Sequence, residues 1–521
     1  MRTTNSFKNL ITGVFGRVLY MVLNFVVRTV FIATLSENYL GINGLLGSVL
    51  SVLSLTELGI GEAILFSLYK PVAERDTRKI QSLLRLYRGA YRVIGAVVLC
   101  LGLCMVPFLE FFVRGTTDLV DLRIVFVLYL LEMSSSYWMT YYASVLYTEQ
   151  KSYSISIISY ISSFITAALR VGLLLWLRGT PMLSFYVYAL VGTVNNLVNN
   201  LLIRRKVRRD YPWTRKLDAP PLPAEEKRPI LKNVAGMLSK KVCRVLNDGI
   251  DNMVISAMIG LGTVGIYSNY VTLRLYITRL LSTVFSSVTA SIGNLCAVDS
   301  RERKESFFLA LQFTYFWVYG FCAICFWTLY NSFIVGVWLH DTKWMISDLD
   351  VFLVVLNFLI QGLAEDVEKY RDVNGLYWHS RYRYVISSVL NVVLSLVLVG
   401  PCRMGLTGAL LGTTASILVM VVYDPVFVYR EVFHKSAGEY YRRYLGNLCL
   451  ILATGALVHV LALPFRAFTP GNFAVRLLIC LAVPNGLWYF LYHADPRFLY
   501  LRDTAAGLLR SARQRLRERR G

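Results

Sequence analysis

The chain is 521 residues long, 56% hydrophobic and only 17% charged, with a mean hydropathy of +0.52. Soluble proteins carry charge on about a quarter of their residues. This composition therefore excludes a soluble globular protein and predicts an all-α, polytopic membrane protein. The net charge of +22 would suit a nucleic-acid binder, but the positions of the basic residues argue against one.

About fourteen apolar segments are long enough to cross a bilayer, which takes about 20 residues. They run over 11–34, 40–68, 91–112, 122–147, 153–177, 182–203, 234–260, 264–297, 307–337, 346–368, 384–400, 405–429, 444–463 and 474–494. Lys and Arg accumulate in alternate connections: Lys70–Arg92, Arg204–Lys232, Arg301–Lys304, Arg371–Arg383, Arg430–Arg443 and Arg497–Arg520. With the N-terminus and Lys151 these hold about 39 of the 54 basic residues, against about seven in the other connections. That asymmetry is the positive-inside rule, and it predicts both termini in the cytoplasm.

Read from the N-terminus, Arg2 and Lys8 precede an apolar stretch that is too long for a cleaved signal and lacks a small-residue cleavage site. In the first span Arg17, Asn24 and Arg28 fall within about 40° of one helix face. Arg17 has two open readings, a cavity residue or a side chain snorkelling to the interface. Arg28 is deeper and is expected to line a cavity. The second span carries Glu57-Leu-Gly-Ile-Gly-Glu62, two carboxylates around Gly59 and Gly61. Spaced five apart they do not share a straight helix face, and Glu57 is placed to neutralise Arg28. Between spans two and three, Ile80, Leu83, Leu84 and Tyr87 follow helical spacing among basic residues, which suits a helix lying on anionic headgroups. The tail Leu508–Arg520 has the same character. Glu132 and Arg170 lie inside spans and read equally well as structural pairs, so they receive no role.

The stretch Arg204–Pro229 is basic and then Pro-rich, as a linker between two membrane halves would be. In the seventh span Lys241, Arg244, Asp248 and Asp251 fall within an arc of about 80°. One mid-bilayer charge costs roughly 2.5–3.5 kcal/mol, so this face either lines a polar cavity or forms a charge-paired seam between helices. Arg279, in the eighth span, joins the candidate cations. The nine cysteines lie mostly within spans, and Cys322-x-x-Cys325 reads as core packing rather than as a redox or metal site.

The halves are related. At a shift of 224 residues Lys8-Asn9 falls on Lys232-Asn233, Arg17-Val18 on Lys241-Val242, Asn24 on Asp248, and Gly41-Ile42 on Gly265-Ile266, with no gap. An even number of spans per half makes this a parallel repeat. The predicted organisation is an N-lobe over 1–203, a cytoplasmic linker over 204–230, a C-lobe over 231–430, two additional helices within 431–495, and a basic tail over 496–521. The two six-helix lobes would be related by a pseudo-twofold axis along the membrane normal. No Walker A sequence, H-E-x-x-H, histidine cluster or convincing nucleophile–base pair occurs, so no cofactor, metal or enzymatic activity is expected.

Several stretches resemble one family. These are Arg28-Thr-Val-Phe-Ile-Ala-Thr-Leu, Tyr39-Leu-Gly-Ile-Asn-Gly44, Glu57-Leu-Gly-Ile-Gly61, Tyr69-Lys-Pro-Val72, Asp251-Asn252, Val264-Gly-Ile-Tyr-Ser-Asn-Tyr270 and Ala290-Ser-Ile-Gly-Asn294. They are similar to Wzx-type O-antigen and capsular repeat-unit flippases, which group with lipid II flippases and multidrug extruders in one exporter superfamily. Glu62 departs from the small or polar residue expected there. The resemblance implies a polyprenyl-diphosphate-linked oligosaccharide moved across the bacterial cytoplasmic membrane by alternating access. It also implies glycosyltransferases and a polymerase as pathway partners, with membrane lipids around the chain. On this reading Arg28, Arg17, Arg244, Lys241 and Arg279 would meet the diphosphate, since Arg suits phosphate geometry. Asp248, Asp251 and Glu57 would serve ion coupling or charge pairing. A cation-coupled small-molecule antiporter of the same superfamily, and a membrane glycosyltransferase or polymerase, are the competing readings.

Overall fold

The computed structural model describes residues 2–54, 60–113, 119–227, 249–298, 301–374, 376 and 381–503. These residues are helical and joined by short turns, with no strand among them. In chain order the helices are α1 Arg2–Thr34, α2 Glu37–Leu53, α3 Ile60–Glu74, α4 Thr77–Met105, α5 Leu122–Thr148, α6 Ser152–Trp176, α7 Pro181–Asp210, α8 249–258 and α9 Leu261–Val298. They continue as α10 Arg301–Phe333, α11 Asp348–Leu363, α12 Glu365–Val373, α13 Arg381–Val399, α14 Gly405–Val428, α15 Gly438–Ala462 and α16 Pro470–Tyr492. Nine helices among the described residues are long and apolar enough to cross a membrane. The chain is an all-α, multi-pass membrane protein.

Local signals set the helix ends. Arg75 and Gln150 turn the chain in the left-handed region (φ 57° at each) between α3 and α4 and between α5 and α6. The Asp76 carboxylate accepts from the Lys79 amide at the start of α4, and Asp121 accepts from Arg123 at the start of α5. Each thereby satisfies a donor that the first helical turn leaves open. Pro181 and Pro470 occupy first-turn positions of α7 and α16, where a missing amide costs nothing.

The residues pack as two compact units, Met1–Tyr276 with Val392–Ala409, and Ile277–Asn391 with Leu410–Gly521. In the first, α5 packs along α7 and α4, and α6 packs along α1 and α7. In the second, α10 is central and meets α11, α12, α15 and α16. The two C-terminal helices lie close to it because Gly320 admits Ile451 and Trp488, and Gly455 admits Trp327. The second unit also holds a buried ionic cluster. Arg371 Nη1 lies 2.7 Å from Asp424 Oδ2, and Arg383 Nη1 shares that oxygen. Arg371 Nη2 reaches Asp372 at 2.7 Å and Glu368 at 3.1 Å, and both guanidiniums lie over the Tyr384 ring.

Within the first unit α2 and α9 cross at van der Waals limits. A Cβ on Gly41 would lie 1.9 Å from the Leu261 carbonyl oxygen, and one on Gly265 would lie 2.0 Å from the Glu37 carbonyl oxygen. Positions 37 and 261, and 41 and 265, are mates at the 224-residue shift, so the contact is reciprocal. Each helix presents its glycine to the first carbonyl of the other, as two copies do across a twofold axis. Gly262 faces Asn38, its own mate, with 3.2 Å between an added Cβ and Oδ1. The positions that the 224-residue shift equates thus meet in one crossing.

One expectation changes. The amphipathic start of α4 does not lie on headgroups. Its apolar residues Ile80, Leu83, Leu84 and Tyr87 are buried, and its polar residues hold the connection after α7. Gln81 donates to the Trp213 carbonyl (3.1 Å), Ser82 to Pro220 (2.8 Å) and Arg85 to Ala219 (3.1 Å). The helix period was right, but protein rather than lipid covers the apolar face. Helix α7 runs to Asp210, so Arg204–Arg209 are helical and the non-helical connection begins after them.

Candidate functional site

Polar residues in the first unit converge near one end of its helices. On α1, the Arg28 guanidinium donates through Nε to Asn269 Oδ1 (2.8 Å) and through Nη2 to Ser268 Oγ (2.7 Å), both on α9. Both acceptors are neutral, and among the described residues no carboxylate lies within ion-pair distance of Arg28. One turn later Phe31 packs edge-on against Tyr188 of α7, their ring centroids 5.0 Å apart.

Tyr188 borders a cavity of about 470 Å³ that Asn43, Tyr129, Glu132, Ser136, Arg170 and Asn196 also line. The Arg170 guanidinium lies over the Tyr188 ring, 4.0 Å from its centroid. Gly192 makes the room: a Cβ there would lie 2.3 Å from Arg170 Nη2 and 2.9 Å from Glu132 Oε2. A carboxylate and a guanidinium therefore face the same gap from α5 and α6. Arg170 Nε is buried without a hydrogen-bond acceptor, so its donors are not saturated. Tyr129 Oη donates to Asn43 Oδ1 at 2.8 Å. Asn196 Nδ2 donates to Ser136 Oγ at 2.6 Å and to the Glu132 carbonyl. The wall is thus rich in amide and hydroxyl groups, with one cation over an aromatic face and one acid opposite.

The other sequence candidates scatter. Arg17 is exposed on α1, and Arg279 is exposed on the part of α9 that belongs to the second unit. Asp251 is half-buried on α8, where its neighbour Asn252 donates to Ser48 Oγ at 2.9 Å. Asn252 is the 224-shift mate of Arg28, and each reaches the opposite repeat's second helix. Lys241, Arg244, Asp248 and Glu57 lie outside the described residues, as does the Glu62 side chain. Glu132 and Arg170, given no role from sequence, line the same cavity, and Tyr129, Asn43 and Asn196 were missed. A signal existed: α7 carries Thr193, Asn195, Asn196, Asn199 and Asn200 within a spanning helix, and α5 carries Ser134–Ser136. Such polar runs inside a membrane mark an inward, hydrated face.

No protein-family model matches the chain, and no curated protein matches it in sequence. Solved structures do match its fold. The lipid II flippase MurJ in an inward closed conformation superposes with a TM-score of 0.67 at 14% identity, covering 93% of this chain and 98% of that one. An inward-facing multidrug resistance MATE family transporter of the MOP superfamily gives 0.63 at 13% identity, covering 84% and 95%. The eukaryotic MATE transporter AtDTX14 gives 0.58 at 11% identity, covering 85% and 99%. Over nearly all its length, then, this chain has the fold shared by MATE transporters and a lipid II flippase.

Proposed function

We propose that this protein is a flippase that carries a polyprenyl-diphosphate-linked oligosaccharide across a bacterial cytoplasmic membrane, with both termini in the cytoplasm. The observation that carries the reading is Arg28. It sits in a spanning helix, and among the described residues its guanidinium is answered by an amide and a hydroxyl oxygen, with no carboxylate. A cation held in a span by neutral partners is costly, and an incoming diphosphate supplies negative charge in the geometry a guanidinium fork prefers. Arg170 offers a second cation whose donors are not saturated. Tyr129, Asn43, Ser136 and Asn196 match sugar hydroxyls, and the prenyl tail stays in lipid. Arg244, Lys241 and Arg17 belong to the same proposed diphosphate path. Glycosyltransferases and a polymerase of the same pathway are the expected partners. The test is transport of a labelled lipid-linked oligosaccharide in liposomes. Wild type flips it chemically unchanged and Arg28→Ala does not, whereas equal rates in the two would end this reading.

One observation favours a second reading, a cation-coupled small-molecule antiporter. Glu132 shares its cavity with Tyr129 and Tyr188, and an acid among aromatic rings suits an organic cation or a coupling proton. In the same liposomes an antiporter exchanges a cationic dye for protons, loses that exchange in Glu132→Gln, and ignores the lipid-linked oligosaccharide.

A further inference from the structure

Away from the Arg28 region, four arginines close on one cavity of about 480 Å³ between α4, α5 and α7: Arg88 and Arg92 on α4, Arg204 and Arg208 on α7. Tyr142 and Trp138 of α5 form its aromatic wall. Arg208 Nε donates to Tyr142 Oη at 3.0 Å, and the Arg208 and Arg204 guanidiniums lie 5.5 and 6.0 Å from the centre of that ring. Among the described residues no carboxylate lies within ion-pair distance of any of the four, and the nearby Asp210 is engaged by Lys206 and Arg209.

Folding alone does not account for this arrangement. Arg88 and Arg92, and Arg204 and Arg208, are like-charge pairs one turn apart, a spacing that destabilises a helix. The helix dipole favours cations only in the last turn, which covers Arg208 but not Arg204, Arg88 or Arg92. The positive-inside rule accounts for basic residues at this end of the helices, yet not for their facing each other across a cavity. Within two turns of these arginines on the same helices stand exposed apolar residues, Val93 and Val97 on α4 and Leu197 and Leu201 on α7. An anion bound here would thus have hydrocarbon beside it.

We propose that this arginine cavity binds a phosphate or diphosphate group carried on a lipid chain. The proposal rests on the chain being a membrane protein and not on its transporting an oligosaccharide. Two sources share the chemistry, the headgroup of an anionic phospholipid and the diphosphate of a polyprenyl carrier.

Trp138, 52% exposed on the wall, reports occupancy. The purified full chain is placed in phosphatidylcholine vesicles containing brominated phosphatidylglycerol or, at the same share, brominated phosphatidylcholine. The Trp138 signal is isolated by subtracting Trp138→Phe. Quenching by the anionic lipid is expected to exceed that by the neutral one by at least about tenfold in apparent affinity, since each arginine contributes a several-fold factor and two of them already exceed tenfold. This preference disappears in Arg204→Gln/Arg208→Gln and in Arg88→Gln/Arg92→Gln. Protection of Trp138 by unbrominated polyprenyl diphosphate identifies the carrier as the occupant, and absence of protection identifies bulk anionic phospholipid. The proposal is overturned by equal quenching from both brominated lipids with no effect of polyprenyl diphosphate, or by an unchanged preference in both double variants. Thermal unfolding in neutral detergent is a separate control. Relief of like-charge repulsion leaves both double variants as stable as wild type or more so, and a loss of stability in both would make the arginines structural.

Discussion

The reciprocal glycine contact between α2 and α9 predicts an unusual mutational pattern. In Gly41→Ala the new methyl would start 1.9 Å from the Leu261 carbonyl oxygen, and in Gly265→Ala 2.0 Å from that of Glu37. Ordinary contact begins at 3.4 Å, so either change forces the helices apart by about 1.5 Å. The obstructing atoms are backbone and cannot swing away, so overpacking should cost about 1–3 kcal/mol in either single variant. Both clashes are relieved by one and the same separation. The double variant should therefore cost little more than a single one, leaving a coupling energy of about 1–3 kcal/mol. The assay is a double-mutant cycle on the unfolding midpoints of purified protein in one detergent. Costs that simply add, or a Gly41→Ala protein as stable as wild type, would refute the shared contact.

Other substitutions test the rest of the molecule. Asp424→Asn removes the carboxylate that Arg371 and Arg383 share, leaving Arg371 its contacts to Asp372 and Glu368 but burying Arg383 against a neutral group, and should destabilise by about 3 kcal/mol, visible as a lower unfolding temperature and reduced membrane yield. Gly192→Ala meets only the ends of two flexible side chains, Arg170 and Glu132, so it should keep the unfolding temperature while slowing transport in liposomes. Arg28→Lys should transport more slowly than wild type but faster than Arg28→Ala, because a point charge lacks the bidentate fork; indistinguishable Lys and Ala variants would count against phosphate recognition.

Sequence carried the fold class because a spanning helix announces itself by length and apolarity, and no partner is needed to see it. The glycines at the 224-residue shift were legible for a related reason: Gly41 and Gly265 must both be small where two backbones touch. The cavity was only half legible. Arg28 stood out as a deep charge. Glu132 and Arg170 also stood out, but their meeting over Gly192 depends on the side-by-side packing of α5, α6 and α7, which periodicity does not encode. Nor could periodicity say whether the apolar stripe Ile80–Tyr87 faces lipid or protein, since both accept the same residues. Nor did the charge-dense run Arg204–Arg209 reveal that the helix continues through it to Asp210.

The connection docked on α4 has a consequence for chain engineering. Gln81, Ser82 and Arg85 grip it through the carbonyls of Trp213, Ala219 and Pro220, groups that every residue possesses. These bonds read the path of the main chain, which Pro220, Pro221 and Pro223 hold extended, beside the buried side chains of Leu217 and Leu222. The intervening side chains at Arg215, Lys216 and Asp218 are then replaceable without loosening the grip. A single inserted residue is not tolerated in the same way, because it moves the carbonyls of Ala219 and Pro220 out of register with their donors. The exposed positions 215, 216 and 218 thus accept rewriting where the connection does not accept lengthening, while Leu217, Ala219 and Leu222, which are buried, stay as they are.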